Sequence, residues 1–345
     1  MTTSVGDLYA PSIIDRLTVW VASRVRQPVL AYVAAAAVLA AVMTGIEWLS
    51  GAYPVGMVRL AHLEIAAVGP LWLWLIGTFN VAGDRAVTRL RPILALDDAG
   101  VEALRLRLTA LPFGPTLLLC VISAAASAAR TILDPSSLAR IGLSTRPLSE
   151  GVMVAILIAL SFVGITFVLK LLWSAWQVHR LSTHFVRVDL ARVNLLYGLA
   201  GLTGRMAVSL ALSIAAFVAA SPQSFAEVYG SISGISAVVV SAIVFVVPLI
   251  GVHDQLVLAK TEAIDTAQAQ FFALGERLHR VVEADDLPSM DPINKAVGAA
   301  EIELRGLRAI PTWPWLPETF RWVVGALMFP IVLFVAQYLL SQMLA

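Results

Sequence analysis

Cysteine occurs once in this chain of 345 residues, as Cys120, and lysine three times, as Lys170, Lys260 and Lys295. A single thiol excludes an intramolecular disulfide and any cysteine-rich metal site. Charge of either sign is scarce. Asp, Glu, Lys and Arg make up 14% of the chain, against about 25% in a soluble domain. The five histidines are scattered. His179 and His184 are five apart and fall on different helix faces, so no metal or haem pair is implied. A phosphate-binding GxxxxGK(S/T) loop, an HExxH pair and a Gly-x-Ser-x-Gly elbow are all missing. The sequence signatures of nucleotide hydrolysis, zinc peptidases and α/β-hydrolases are therefore absent. Residues 309–345 hold no lysine, so a retinal Schiff base has no anchor in the last span. We expect no cofactor, no metal, no catalytic role and no nucleic-acid partner.

What the chain does contain is apolar: 59% of its residues are hydrophobic. A membrane span needs roughly 20 mainly apolar residues. Seven stretches qualify, at about 28–49, 65–83, 112–132, 151–173, 197–219, 232–252 and 319–343. The expected fold class is all-α, a polytopic membrane protein of about seven transmembrane helices in the cell membrane. Basic residues orient it. With the N-terminus inside, Arg16, Arg24 and Arg26 are cytoplasmic, as are Arg85, Arg89, Arg91, Arg105 and Arg107 in the second connection. Lys170, Arg180, Arg187 and Arg192 are counted with the connection after the fourth span. Lys260, Arg277, Arg280, Lys295, Arg305, Arg308 and Arg321 lie between the last two spans. The outside holds only Arg59, Arg130, Arg140 and Arg146. The bias predicts N-in and C-out.

The sixth apolar stretch runs on as a helix through 253–282. Ile264, Ala267, Phe271, Leu274, Leu278 and Val281 are spaced 3, 4, 3, 4 and 3 residues apart, a seam of period 3.5. After "EADDLPSMDP", Asp291 and Pro292 read as a helix start. Ile293, Val297, Ala300, Leu304 and Leu307 continue with spacings of 4, 3, 4 and 3. The chain thus divides into a cytoplasmic amphipathic segment (1–27), a six-span membrane domain (28–252), a cytoplasmic antiparallel helical hairpin (253–310) and a final elbow and span (311–345). The hairpin either packs only on itself or serves as a platform for subunits or a cytoplasmic partner.

The elbow is "RAIPTWPWLPETFRW". Pro311, Pro314 and Pro317 recur every three residues, the period of polyproline II. A stiff non-helical spacer follows, with Pro317 opening the last helix. Trp313, Trp315 and Trp322 suit the headgroup zone among membrane lipids, and Arg321 is placed to snorkel beside them.

Ionisable residues at membrane depth are candidate sites. If the fifth span begins near Tyr197, Arg205 is about 12 Å deep; if it begins later, Arg205 snorkels at the edge. Glu47 and Arg130, near the outer ends of their spans, are candidates for a structural salt bridge. His62, Glu64 and Asn80 flank the second span. Gly230, Gly234, Ala237 and Ser241 lie on one helix face, spaced for close helix packing. Pro248 and Pro330 are expected to kink the sixth and seventh spans. Either those two spans move or line a cavity, or the kinks are packing bends. Gln337 is a polar residue on an otherwise apolar helix.

Seven spans, an intracellular N-terminus, a sixth helix running far into the cytoplasm, then a cytoplasmic helix and a final span resemble the insect odorant and gustatory receptor type of ligand-gated cation channel. The resemblance covers the last two-fifths of the chain. That family's last span carries Thr-Tyr, five apolar residues and Gln-Phe. Here "PIVLFVAQY" supplies Gln337 and Tyr338, while Pro330 and Ile331 stand where Thr-Tyr would be. The resemblance implies a homo-oligomer with the last helix at the pore. Together these features lead to an oligomeric channel or receptor gated at the last two spans, with Gln337, Arg205, Pro248 and Pro330 as pore or gate candidates. The rivals are a non-catalytic scaffold subunit whose hairpin docks a partner, and a secondary transporter. The basic bias makes a first prediction. In intact cells a membrane-impermeant thiol reagent should label Gln223→Cys and miss Gly275→Cys; labelling of position 275 would invert the scheme.

Overall fold

The computed structural model describes residues 9–94, 96–134, 146–184, 190–220 and 228–344. The described residues fold into eleven α-helices joined by short turns and three 3-10 turns. They are α1 (Ile13–Arg24), α2 (Pro28–Leu49), α3 (Leu60–Leu90), α4 (Asp98–Thr109), α5 (Phe113–Leu133) and α6 (Pro147–His184), followed by α7 (Val193–Ala220), α8 (Val228–Val246), α9 (Ile250–Glu283), α10 (Leu287–Ala309) and α11 (Pro317–Leu344). Seven helical stretches among the described residues are long and apolar enough to cross a membrane, at the seven places the apolar runs predict.

Several helices overrun those runs. α3 is 31 residues long, about 46 Å at 1.5 Å per residue. Its apolar run ends near Gly83, yet Ala86, Val87 and Leu90 keep one stripe buried for two more turns. That stripe holds α4, a helix that hydropathy alone passes over. Asp97 caps α4 by accepting from the Gly100 N–H at 2.8 Å, and Val101, Leu104 and Leu108 face the core. A Cβ on Gly83 would meet the Leu108 carbonyl oxygen at 3.2 Å, so a larger residue there would push α3 and α4 apart.

α7 is the central helix. In its most apolar window 72% of residues are buried, against 17% in those of α2, α5, α6 and α11. α3, α8 and α11 pack around it. Leu199, Met206 and Ala207 of α7 meet Leu75, Ile76 and Phe79 of α3, Phe245 of α8 and Val323 of α11 in one continuous apolar core. Phe167 of α6 stacks on both Trp72 (ring centroids 6.0 Å apart) and Phe79 (5.9 Å).

Pro248 lacks the N–H that would bond to residue 244, and the chain passes from α8 to α9 through a 3-10 turn at Val247–Leu249. α9 and α10 then pack side by side. Lys260 near the start of α9 donates to the carbonyls of Arg308 and Ile310 at the end of α10, both at 2.7 Å. The residues at seam spacing, Ile264 to Val281 and Ile293 to Leu307, are buried or half-buried. The α10 start departs from the expectation of Asp291–Pro292. Asp286 caps the helix by accepting from the Ser289 N–H, and Pro288 takes the first turn, so α10 begins one turn earlier. Pro292 lies inside it, where only one carbonyl loses its partner.

Candidate functional site

Two buried polar clusters sit on α6 about six turns apart, one at Lys170 in the body of the helix and one at Ser149 near its start. The first begins at α1. Ser12 caps that helix, its hydroxyl accepting from the Asp15 N–H at 3.1 Å and donating to Asp15 Oδ2 at 2.8 Å, a reciprocal arrangement of the capping-box kind. The Leu111 N–H also donates to Asp15 Oδ2, at 2.7 Å. Lys170 Nζ donates to Asp15 Oδ1 at 2.7 Å and to the Thr109 carbonyl at 2.5 Å. Asp15 is 2% exposed and Lys170 0%. A charge buried this far is tolerated only when paired and hydrogen-bonded, and both conditions are met.

Backbone bonds extend the same joint. Ser12 N–H donates to Leu111 and Phe113 N–H to Ala10, both at 2.9 Å. The Tyr9 hydroxyl donates to the Ala110 carbonyl at 3.0 Å, and burial pushes its phenol up to about 12. Asn80 of α3 reaches Thr18 of α1 at 3.4 Å. Three distant pieces of chain (α1, the α4–α5 link and α6) therefore meet on one carboxylate.

The second cluster joins α2, α3 and α6. His62 Nε2 lies 2.9 Å from Glu47 Oε2, and the Ser149 hydroxyl donates to Glu47 Oε1 at 3.3 Å. Glu47 and Ser149 are 0% exposed and His62 1%. The Tyr53 ring meets the His62 ring edge-on at 6.3 Å, and the Arg59 guanidinium lies 4.3 Å over Tyr53. Serine and histidine both address the carboxylate rather than each other. The arrangement is a buried polar contact around one carboxylate, without the serine–base bond that nucleophilic catalysis needs. The sequence expectation of a Glu47–Arg130 bridge is corrected: His62 partners the carboxylate, because α2 packs along α3 while Arg130 faces a separate groove. Lys170, counted from sequence with a basic connection, is a fully buried residue of α6.

A third feature is a column of rings. His253 of α9 stacks on Trp313 (4.0 Å, 13°), Trp313 on Trp315 (4.3 Å, 15°), and Trp315 on Phe245 of α8 (5.2 Å) and Phe320 of α11 (5.7 Å). His253 Nδ1 is also 3.0 Å from the Thr312 carbonyl oxygen. Trp313 and Trp315 thus lie against protein rings and are half-buried, whereas Trp322 and Arg321 are exposed. The column fixes the elbow to both the α8–α9 junction and the first turn of α11.

Among the other candidates from sequence, Arg205 is half-buried in α7, within electrostatic reach of Arg85 and Arg89. Pro248 and Pro330 are buried, the first in its 3-10 turn and the second inside α11. Ser241 is buried in α8. Gly230, Gly234 and Ala237 fall on the α8 backbone and Gln337 on that of α11; their side chains lie outside the described residues. The structure brings none of Arg205, Pro248 and Pro330 to the two polar clusters. Asp15 was missed from sequence, although Ser12 followed three residues later by Asp15 is a helix-start signal and Lys170 is a lone cation in a strongly apolar run.

No protein-family model, no curated protein and no solved structure matches the chain. The second cluster carries a prediction of its own. Removing one partner of a buried polar contact leaves the other without its partner, at a cost of about 1–3 kcal/mol, whereas replacing both with apolar groups is nearly neutral. Glu47→Leu should therefore lower thermal stability in detergent sharply, and Glu47→Leu with His62→Leu should recover much of the loss.

Proposed function

We propose that this chain is a multi-pass membrane protein with its N-terminus in the cytoplasm, working as one subunit of an oligomeric channel or receptor gated at the last two spans. Support for the membrane setting comes from α6. Ser149 and Lys170 are 21 residues apart, about 30 Å of helix, the thickness of a bilayer's hydrocarbon core. Buried polar contacts thus bound an apolar slab on both sides, the Asp15–Lys170 pair on one and Glu47 with His62 and Ser149 on the other. The basic residues bias the α1 and α9–α10 side toward the cytoplasm.

The gating assignment is carried by the column from His253 through Trp313 and Trp315 to Phe245 and Phe320. The rings form one unbroken series of contacts, 4.0–5.7 Å between centroids, from the start of α9 through the elbow to the end of α8 and the start of α11. A tilt of the α9–α10 hairpin would pass through the column to the start of α11 and to the Pro248 turn. The middle of a single chain is filled by side chains such as Leu75, Phe79, Leu199, Met206 and Phe245. A conduction path would therefore run between copies. α11 exposes Met328, Val332, Val335 and Leu339, a surface for lipid and for neighbouring copies alike. Gln337 on that helix is the pore candidate, since an unpaired amide in lipid is costly.

The second reading is a non-catalytic scaffold. It rests on the far part of the hairpin, where Phe272 is 67% exposed beside Phe271, as a docking surface for a soluble partner would be.

Reconstitution into liposomes separates the two. The channel reading expects a conductance that responds to a ligand, voltage or tension. Trp315→Ala should change its gating and leave unit conductance alone, while Gln337→Leu should change conductance or selectivity with assembly intact. No conductance under any of these stimuli would remove the channel reading and leave the scaffold.

A further inference from the structure

A cavity of about 410 Å3 opens between α3, α5 and α6, lined on α6 by residues between the Ser149 and Lys170 levels. That volume lies within the roughly 300–1,000 Å3 usual for small-molecule sites. One wall is α5, which presents Ser123, Ser127 and Thr131 at four-residue intervals, hence on one helix face. Arg130 stands at the mouth, exposed and one turn from the end of α5. Among the described residues no carboxylate pairs with it.

The opposite wall is mainly apolar, formed by Leu157, Leu160, Ile165 and Val168 of α6 with the Trp72 ring, and the Ser161 hydroxyl on it already donates to the Ile158 carbonyl at 2.8 Å. Gly164 makes room for that ring. A Cβ there would lie 2.6 Å from Trp72 Cζ3, so a larger residue would displace the ring from its stack on Phe167. From Arg130 inward to Ser123 is seven residues, about 10 Å. The cavity is therefore cationic at the helix end, hydroxyl-lined next, and apolar toward the middle of the span.

That order of chemistry is the order along a phospholipid. We propose that the groove binds one anionic phospholipid from the leaflet at the Glu47 end. Its phosphate lies on the Arg130 guanidinium, whose planar fork suits phosphate oxygens. Its ester oxygens lie against the hydroxyls of Ser127 and Ser123, and one acyl chain runs over Leu160 and Trp72. The inference rests on the membrane reading above and adds to it a ligand class and a place.

The test is native mass spectrometry of the purified full chain after exchange into detergent containing phosphatidylglycerol or phosphatidylcholine. One phosphatidylglycerol should be retained at least tenfold more than phosphatidylcholine. Arg130→Gln should abolish that preference, and Arg130→Lys should keep most of it. Ser127→Phe, which fills the groove without touching the charge, should reduce retention of both lipids. Helical circular dichroism of each variant checks that the fold survives. Equal retention of the two lipids, an unchanged preference in Arg130→Gln, or a free fatty acid retained in place of phospholipid would overturn the proposal. Carbonate washing of membranes tests the membrane reading separately. Protein that stays in the membrane but shows no lipid preference removes the groove alone.

Discussion

The carboxylate of Asp15 is the point on which the N-terminal half is assembled. It accepts from Lys170, from the Leu111 N–H and from Ser12 at once, so its oxygens are paired although water is excluded. Without it, Lys170 would be an ammonium buried on a helix that is otherwise apolar for many turns, a cost of several kcal/mol. Without Lys170, α1 would retain its cap but lose its charged tie to α6. Burial of both partners makes the joint all-or-none: α1 is either seated with its charge matched or detached with two charges needing water.

About six turns nearer its N-terminus the same helix meets Glu47 through Ser149. α6 is thus fastened twice to the segment that precedes α3, once through α1 and once through α2. Between the fastenings the packing is mostly apolar, made of Leu, Val, Ala and the Trp72–Phe167–Phe79 stack, with one buried Cys120–Thr166 contact at 3.3 Å. Non-directional contacts give stability but little register, whereas the two polar clusters admit one register. The other half of the molecule is joined differently. α8, α9, the elbow and α11 meet at stacked rings and at a proline-interrupted turn, and α10 is tied to α9 along their shared seam and through Lys260. One half is pinned by charge and the other hinged on rings, and the proposed gating motion belongs to the second.

The seven apolar helices were legible in the sequence because burial in protein and burial in lipid both demand apolar runs of one length. The seam of the α9–α10 pair was legible because its period of 3.5 is local. Harder to see was whatever depends on distant partners. Asp15 and Lys170 are 155 residues apart, and nothing near Lys170 says that a carboxylate will arrive from the N-terminus. Glu47 was recognised as a charge needing a partner, but Arg130 and His62 lay at similar depth and only helix adjacency selects His62. α4 was overlooked because half its surface faces water, so its hydropathy resembles that of a loop. Trp313 and Trp315 carried a strong interfacial signal, yet ring stacking depends on His253 and Phe245, whose relation to the elbow is set by the Pro248 turn.

The central claim is that the Asp15–Lys170 pair couples α1 to α6. A double-mutant cycle on thermal or denaturant unfolding in detergent, with Asp15→Asn, Lys170→Met and both together, measures it directly. The account predicts that each single change is strongly destabilising and that the double change costs much less than their sum, leaving a coupling of about 2–3 kcal/mol. Single effects that simply add would contradict it, since α1 and α6 would then be held together by their apolar faces alone.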